Sequence, residues 1–264
     1  MTTNDVGNDR SAIARVYDTA LGGKDNLARD RAALAALKAI DGKIVEAVIG
    51  QREFVARAVA KVAQLGVDQF LDLGCGLPAP TGDTVLDAAS RHQPDARVVY
   101  VDIADMAAAH GRALLTVEGR STFVEADARD PARVLKDAAD LLNLSRPLAI
   151  VGTALVHFWP DVDDPLGVMR AYRDAVPAGG YFIFTHACGD LLEPEDLARM
   201  IEAYKPTADI YPRTRRQIEA YLDGLEVLPP GLVEASRWQP EEAGPRDVGK
   251  AQFLAAVARF GPGG

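Results

Sequence analysis

Hydrophobic positions fall into two rhythms along this chain. Short apolar runs at 69–73, 97–101, 122–125, 148–151 and 181–185 read as strands. Each of the first four is followed by a stretch with helical period, at 84–91, 105–115, 131–141 and from Asp164-Pro165 onward. Asp164 is a natural N-cap, and Pro165 suits the first helical position, where its missing N–H would have no partner anyway. Ahead of these elements, Ile44, Val48, Val55, Val59 and Val62 recur on one helical face over 44–65, and Gly66 stops the pattern. Ser11 caps a shorter helix over 11–20 that breaks at Gly22-Gly23. Past residue 185 come a helix at 193–204, a capping box of Thr214 and Gln217 that opens another, and two strands at 225–228 and 252–258.

Strands that read as unbroken apolar runs, each followed by a helix, imply a parallel sheet covered on both faces. Two last strands without a clear helix between them imply an antiparallel pair at its edge. The expected fold is therefore α/β, a doubly wound, mostly parallel seven-stranded sheet with an antiparallel last strand. A polar tail at 1–10 precedes one domain at 11–264, divided into an N-terminal helical lid (11–66) and a core (67–264).

Composition narrows the function classes. Of 264 residues 48% are hydrophobic, enough for a substantial core, and the net charge of -9 argues against a surface made for phosphate backbones. A small molecule becomes the expected partner, not a nucleic acid. Cys75 and Cys188 form neither a disulfide framework nor a metal-ligand pattern, so no metal is expected. No run approaches the roughly 18 apolar residues that span a bilayer, and residues 1–10 lack the apolar core of a signal peptide. These features predict a soluble, cytoplasmic protein without membrane contact.

The candidate chemistry gathers at the carboxyl ends of the strands, where ligands of open α/β sheets bind. Strand one runs into Asp72-Leu73-Gly74-Cys75-Gly76, strand two ends at Asp102, strand three at Asp127 and strand four at Thr153. Asp102 is placed to accept from both ribose hydroxyls of a nucleoside, and Asp127 from an adenine amine. Each is also a plausible helix N-cap. The turn from Gly74 to Ala79 fits G-x-G-x-x-A, with Asp102 following 23 residues after Ala79, so a nicotinamide dehydrogenase has to be weighed. Pro78 and Pro80 argue for an irregular loop in place of the helix start that meets a pyrophosphate, and Asp72 would repel that anion. The acid suits a cationic, phosphate-free ligand such as S-adenosylmethionine.

Several blocks resemble the bacterial S-adenosylmethionine-dependent methyltransferase family once filed as a domain of unknown function. They are Ala14-Arg15-Val16-Tyr17-Asp18, Leu21-Gly22-Gly23-Lys24-Asp25-Asn26, Phe70-Leu71-Asp72-Leu73-Gly74, Gly76-Leu77-Pro78, Val98-Val99-Tyr100-Val101-Asp102, and His157-Phe158 with Pro160-Asp161 and Asp163-Asp164-Pro165. The resemblance implies a class I methyltransferase fold and S-adenosylmethionine as cofactor. It places Asp72 and Gly74 at the methionine end, Asp102 on the ribose and Asp127 near the adenine, with Gly76, Ile103, Ala128 and Thr153 beside them. It also implies that the block holding Gly23, Lys24 and Asn26 closes over the cofactor together with Tyr17. Thr19, the loop at 79–83 and the stretch at 248–250 depart from the family's usual wording, which bears on substrate choice.

Methyl transfer from a sulfonium needs alignment and exclusion of water more than a base. His157, after strand four, and Tyr17 are the candidate catalytic residues, although a packing role for His157 is the simpler reading. Phe158, Trp159 and Tyr17 are candidate walls of an acceptor pocket. The acceptor itself is not readable, and the oligomeric state is left open between monomer and homodimer. A cofactor-binding sensor without turnover stays as the alternative function, because no acceptor-specific motif is present.

Overall fold

A computed structural model describes residues 12–80, 82–176, 179–239 and 244–261. The expected tail at 1–10, the Ser11 cap and Thr81 of the 79–83 loop lie outside them. Three helices come first: α1 (Ala12–Ala20), α2 (Ala28–Ile40) and α3 (Ile44–Gln64). Strands and helices then alternate as β1 (Gln69–Leu73), α4 (Val85–Ser90), β2 (Arg97–Asp102), α5 (Asp105–Leu114), β3 (Ser121–Glu125), α6 (Pro131–Ala138), β4 (Leu148–Gly152), α7 (Pro165–Asp174) and β5 (Gly180–Cys188). The chain continues through α8 (Pro194–Tyr204), α9 (Arg215–Glu219), β6 (Glu226–Val227), β7 (Val233–Glu234) and β8 (Gln252–Phe260). Among the described residues no helix is long and apolar enough to cross a membrane.

Strand order is β3-β2-β1-β4-β5-β8-β6. The first five strands are mutually parallel, and β8 runs antiparallel to β5 and β6. This is the expected doubly wound, mostly parallel sheet, with one correction. The position beyond β8 is shared by two short strands, β6 opposite Arg259 and Ala258 and β7 opposite Ala255 and Leu254, so the sheet has eight strands. Two residues are too few to show a period, which is why β7 was not expected.

Alternate residues of each strand feed opposite layers. Phe70, Val98, Tyr100, Ala149, Val151 and Ile183 pack in the layer that holds α2 and α3. Leu71, Leu73, Val99, Val101, Ile150 and Phe182 face the layer that holds α6 and α7. All five apolar positions expected along α3 are buried, and Gly66 follows at a φ of 94°. Asp164 caps α7 as expected, its carboxylate accepting the Gly167 N–H at 3.1 Å. The helix α2 has no counterpart in the sequence reading. It buries Ala33, Leu34 and Leu37, and its alanines give little contrast with their neighbours.

Candidate cofactor site

β1 pairs with β2 on one side and β4 on the other. The chain leaves β1 at this switch point, where strand order reverses and a crevice must open. Helices α1 and α3 and the segment 205–211 wall it, leaving a cavity of about 750 Å³. Asp72, Gly74, Gly76, Asp102, Ile103, Asp127, Ala128, Thr153 and Tyr17 all line this cavity. The strand-end residues singled out in the sequence are thus brought together.

Asp72 is 6% exposed. Burial pushes its carboxyl up to about 7, Arg52 opposes the shift and Asp102 adds to it. Gly74 and Gly76 both take a φ of 66°, which favours glycine. A Cβ on Gly74 would also fall 2.6 Å from Leu155 Cδ1, whereas Gly76 has no neighbour within 4 Å of that position. The space above Gly76 is open to a ligand.

Asp102 accepts the Gly76 N–H at 2.8 Å through one oxygen and the Ala104 N–H at 2.9 Å through the other. Burial raises its pKa, and these bonds hold it back. The Cys75 N–H meanwhile goes to the Val101 carbonyl at 3.0 Å. Two glycine-turn amides that a pyrophosphate would need are therefore already taken. The next helix starts only at Val85, nine residues beyond Gly76, so no helix N-terminus reaches the turn. The dehydrogenase reading fails on this geometry. A ligand with neutral ribose hydroxyls and a cationic end fits the acids that remain.

Asp127 is engaged by Arg129, whose Nη2 lies 2.7 Å away while its Nη1 reaches Asp163 at 2.7 Å. Arg129 was not expected, since an arginine two residues beyond a strand tip carries no motif.

Gly23, Lys24 and Asn26 are not among the cavity-lining residues, contrary to the expectation from the resemblance. Their block instead grips α1. Asn26 Nδ2 donates to the Asp18 carboxylate at 2.8 Å, and the Gly23 N–H donates to the Asp18 carbonyl at 2.8 Å. A Cβ on Gly23 would sit 1.8 Å from Asp18 Oδ1. The exposed Lys24 makes no comparable contact to the cavity. Arg15 and Asp30, both buried, close the corner with a 2.8 Å ion pair, and Asp30 also accepts the Leu27 N–H. The block thereby holds Tyr17 and Asp18 against the cavity without touching its interior. Tyr17 lines the cavity, yet its hydroxyl is buried with no hydrogen-bond partner among the described residues, and burial pushes the phenol well above its ordinary pKa. It stays neutral.

His157 is 1% exposed and does not line the cavity. It belongs to a 3₁₀ turn over Val156–Phe158, where successive side chains point about a third of a turn apart, so Phe158 faces the cavity and His157 the core. Its ring packs on Phe158, His186 and Phe253. Burial, then His186 and Arg213, lower its pKa well below the ordinary histidine value. His157 thus has the packing role that was the simpler reading of the sequence, and burial disfavours its charged form. His186 is held at about 3 chiefly by burial. With Nδ1 2.8 Å from the Ala187 carbonyl and Nε2 facing Arg213 Nη1 at 2.9 Å, the neutral Nδ1–H tautomer satisfies both contacts. Arg213 also donates to the Val156 and Trp159 carbonyls and pairs with Asp161, fixing the loop that supplies Ala154, Leu155 and Phe158.

Sequence reasoning also missed Gln51 and Arg52, which α3 turns toward the cavity together with Val55. Their helix face is the signal that could have found them: 51 and 52 lie beside Val55 of the apolar stripe and carry polar groups where a buried helix would not.

A family model described as S-adenosyl methyltransferase matches residues 1–261. The chain is 33% identical to a DUF574 family protein from Streptomyces avermitilis MA-4680, covering 97% of this chain and 100% of that one, with a TM-score of 0.88. It is 34% identical to a putative methyltransferase from Thermobifida fusca YX, covering 98% of each chain, with a TM-score of 0.85. Human N-acetylserotonin methyltransferase, crystallised in complex with S-adenosylmethionine, shares the fold at 15% identity and a TM-score of 0.50, over 95% of this chain and 65% of that one. No curated protein matches the sequence. The chain is therefore an enzyme and belongs to the S-adenosyl methyltransferase family.

Proposed function

We propose that this methyltransferase acts on a small-molecule acceptor in the cytoplasm, and that the acceptor enters the part of the cavity between α1 and the segment 205–211. The observation that carries the reading is the shape of the cavity. It continues past Asp72, Gly74 and Thr153 to Tyr17, Phe158, Thr207 and Tyr211, a wall of mixed aromatic and polar character roofed by a helix. About 750 Å³ is within the range of about 300–1,000 Å³ usual for small-molecule pockets. Both cysteines are free thiols, as suits a reducing compartment.

S-adenosylmethionine supplies an electrophilic methyl group on its sulfonium. The chain's own residues have to bind it, orient it and exclude water. Asp102 and Asp72 offer acceptors to the ribose and to a cation. Gly74 and Gly76 let the main chain come close, and α1 covers the site. No histidine lines the cavity among the described residues, and the acidic groups that do include Asp18, Asp163 and Asp209.

The test is incubation with methyl-labelled S-adenosylmethionine and size-separated fractions of a bacterial extract. Label transfer to the low-molecular-weight fraction with formation of S-adenosylhomocysteine is the expected result. Transfer only to macromolecules would overturn the small-molecule reading. Tight cofactor binding with no transfer to any fraction would favour a sensor.

A further inference from the structure

Among the described residues three cationic side chains line the cavity, and two of them are committed. Arg129 holds Asp127 and Asp163, and Lys205 is paired with Glu202. Arg52 differs. Among the described residues its Nη2 donates to the Asp83 carbonyl at 3.4 Å, and it pairs there with no carboxylate. It is half-buried on the cavity wall, close enough to Asp72 to act on that carboxyl through space. Asp72 and an under-used guanidinium thus line one cavity, and the other guanidinium lining it among the described residues, Arg129, is already paired with carboxylates.

The cofactor carries a matching pair. Its amino-acid end has an ammonium and a carboxylate on one carbon, whereas its nucleoside end is uncharged. We infer that Arg52 binds the carboxylate of the cofactor's methionine moiety while Asp72 takes the ammonium, so that the two side chains read that end as a zwitterion. The planar guanidinium suits a carboxylate, with two parallel N–H donors. Asp72 alone would accept any cation. Arg52 adds the requirement for an α-carboxylate and fixes which way the amino acid lies, and with it the direction of the sulfonium methyl. The inference rests on the cofactor assignment and names the groups that recognise one end of it.

Calorimetry with S-adenosylhomocysteine and its decarboxylated analogue, a thioether that keeps the amine and lacks the carboxylate, separates the possibilities. At pH 8, where Asp72 is largely ionised, the unmodified protein is expected to prefer S-adenosylhomocysteine by about 10- to 100-fold, the range of one charge-assisted hydrogen-bonded pair. Arg52→Gln should lose most of that affinity for S-adenosylhomocysteine while binding the analogue about as well as the unmodified protein. Arg52→Lys should fall between. Equal weakening of both ligands, or of neither, would overturn the assignment, because the carboxylate would then be held elsewhere. Failure of the unmodified protein to bind either ligand would instead remove the cofactor assignment, and this inference with it. Unchanged near-ultraviolet circular dichroism of Arg52→Gln excludes misfolding as the cause of a loss, and Arg52→Lys supplies the same comparison if that variant does not fold.

Discussion

Position in sequence and position in the site agree for Asp72 and Asp102 because strand ends in a parallel sheet are forced to one edge. The protonation of Asp72 was not legible, since it depends on burial that only the folded chain creates. Its pKa of about 7 lies above the ordinary carboxylate value, so the protonated form is the one the ligand-free fold favours. The stabilisation this gives is complete below about pH 4 and is lost as pH rises through about 7. A bound ammonium reverses the preference and expels the proton. At pH 7 an α-amino group with a pKa of about 8 arrives already protonated, so binding should release about half a proton from Asp72. Titrations in buffers of different ionisation enthalpy measure this release. It should vanish in Asp72→Asn, and an equal release by that variant would place the proton elsewhere. His157 shows the opposite failure of legibility. It follows β4 as closely as the lining residue Phe158, but the 3₁₀ turn directs it into the core. His157→Gln is expected to lower the thermal midpoint while leaving cofactor affinity within about twofold, the change of less than 0.5 kcal/mol usual away from a site. A large loss of turnover at unchanged stability would return the histidine to the chemistry.

Among the elements, the pair α1 and α2 departs most from the sequence reading. The Gly22-Gly23-Lys24-Asp25-Asn26 block looked like part of the cofactor contact because it is distinctive and flexible in composition. In the fold it packs on α1 through Asp18, and its Gly23, Lys24 and Asn26 are not among the residues lining the cavity. Short polar residues around two glycines suit either role, and only the partner of Asn26 decides between them. Asp18 is that partner, and Gly23 leaves no room for a side chain beside it. Gly23→Ala would drive the Asp18 carboxylate from its place and break the bond from Asn26, a charge-assisted contact worth about 1.5–3 kcal/mol. The cost falls on the seating of α1 against the cavity, so cofactor affinity should drop by about tenfold or more. Hydrogen exchange should rise over 12–27 and stay unchanged in β1, β2 and β4. Faster exchange throughout the sheet would show that the corner holds up the whole fold and not the lid alone.

At the level of the whole molecule, the order β3-β2-β1-β4-β5 follows from alternating strands and helices, since right-handed crossovers leave few other arrangements. The same alternation cannot say how the ends of the chain attach. Both converge on α3, which carries Gln51 and Arg52 on the cavity side. From the N-terminal side α1 and α2 pack on it. From the C-terminal side Arg246 pairs with Glu46 and Glu53, and Arg57 donates to the Ala235 and Trp238 carbonyls, with Trp238 edge-on to Phe54 at 5.4 Å between ring centres. The N-terminal helices, the sheet and the C-terminal segment therefore share α3, and the chain should unfold in a single transition. Ligand binding then stabilises all of it at once. At a hundredfold excess over the dissociation constant the gain is about 2.7 kcal/mol, which for a chain of this size raises the midpoint by about 5–10 °C. The two tryptophans allow the coupling to be read separately, because Trp159 lines the cavity and Trp238 lies buried behind α3. Fluorescence melts of Trp159→Phe and Trp238→Phe, each with and without S-adenosylhomocysteine, should show the same upward shift from either reporter. If the ligand moved only the Trp159 signal, the C-terminal segment would be an independent unit, and α3 could not be the element that ties it to the site.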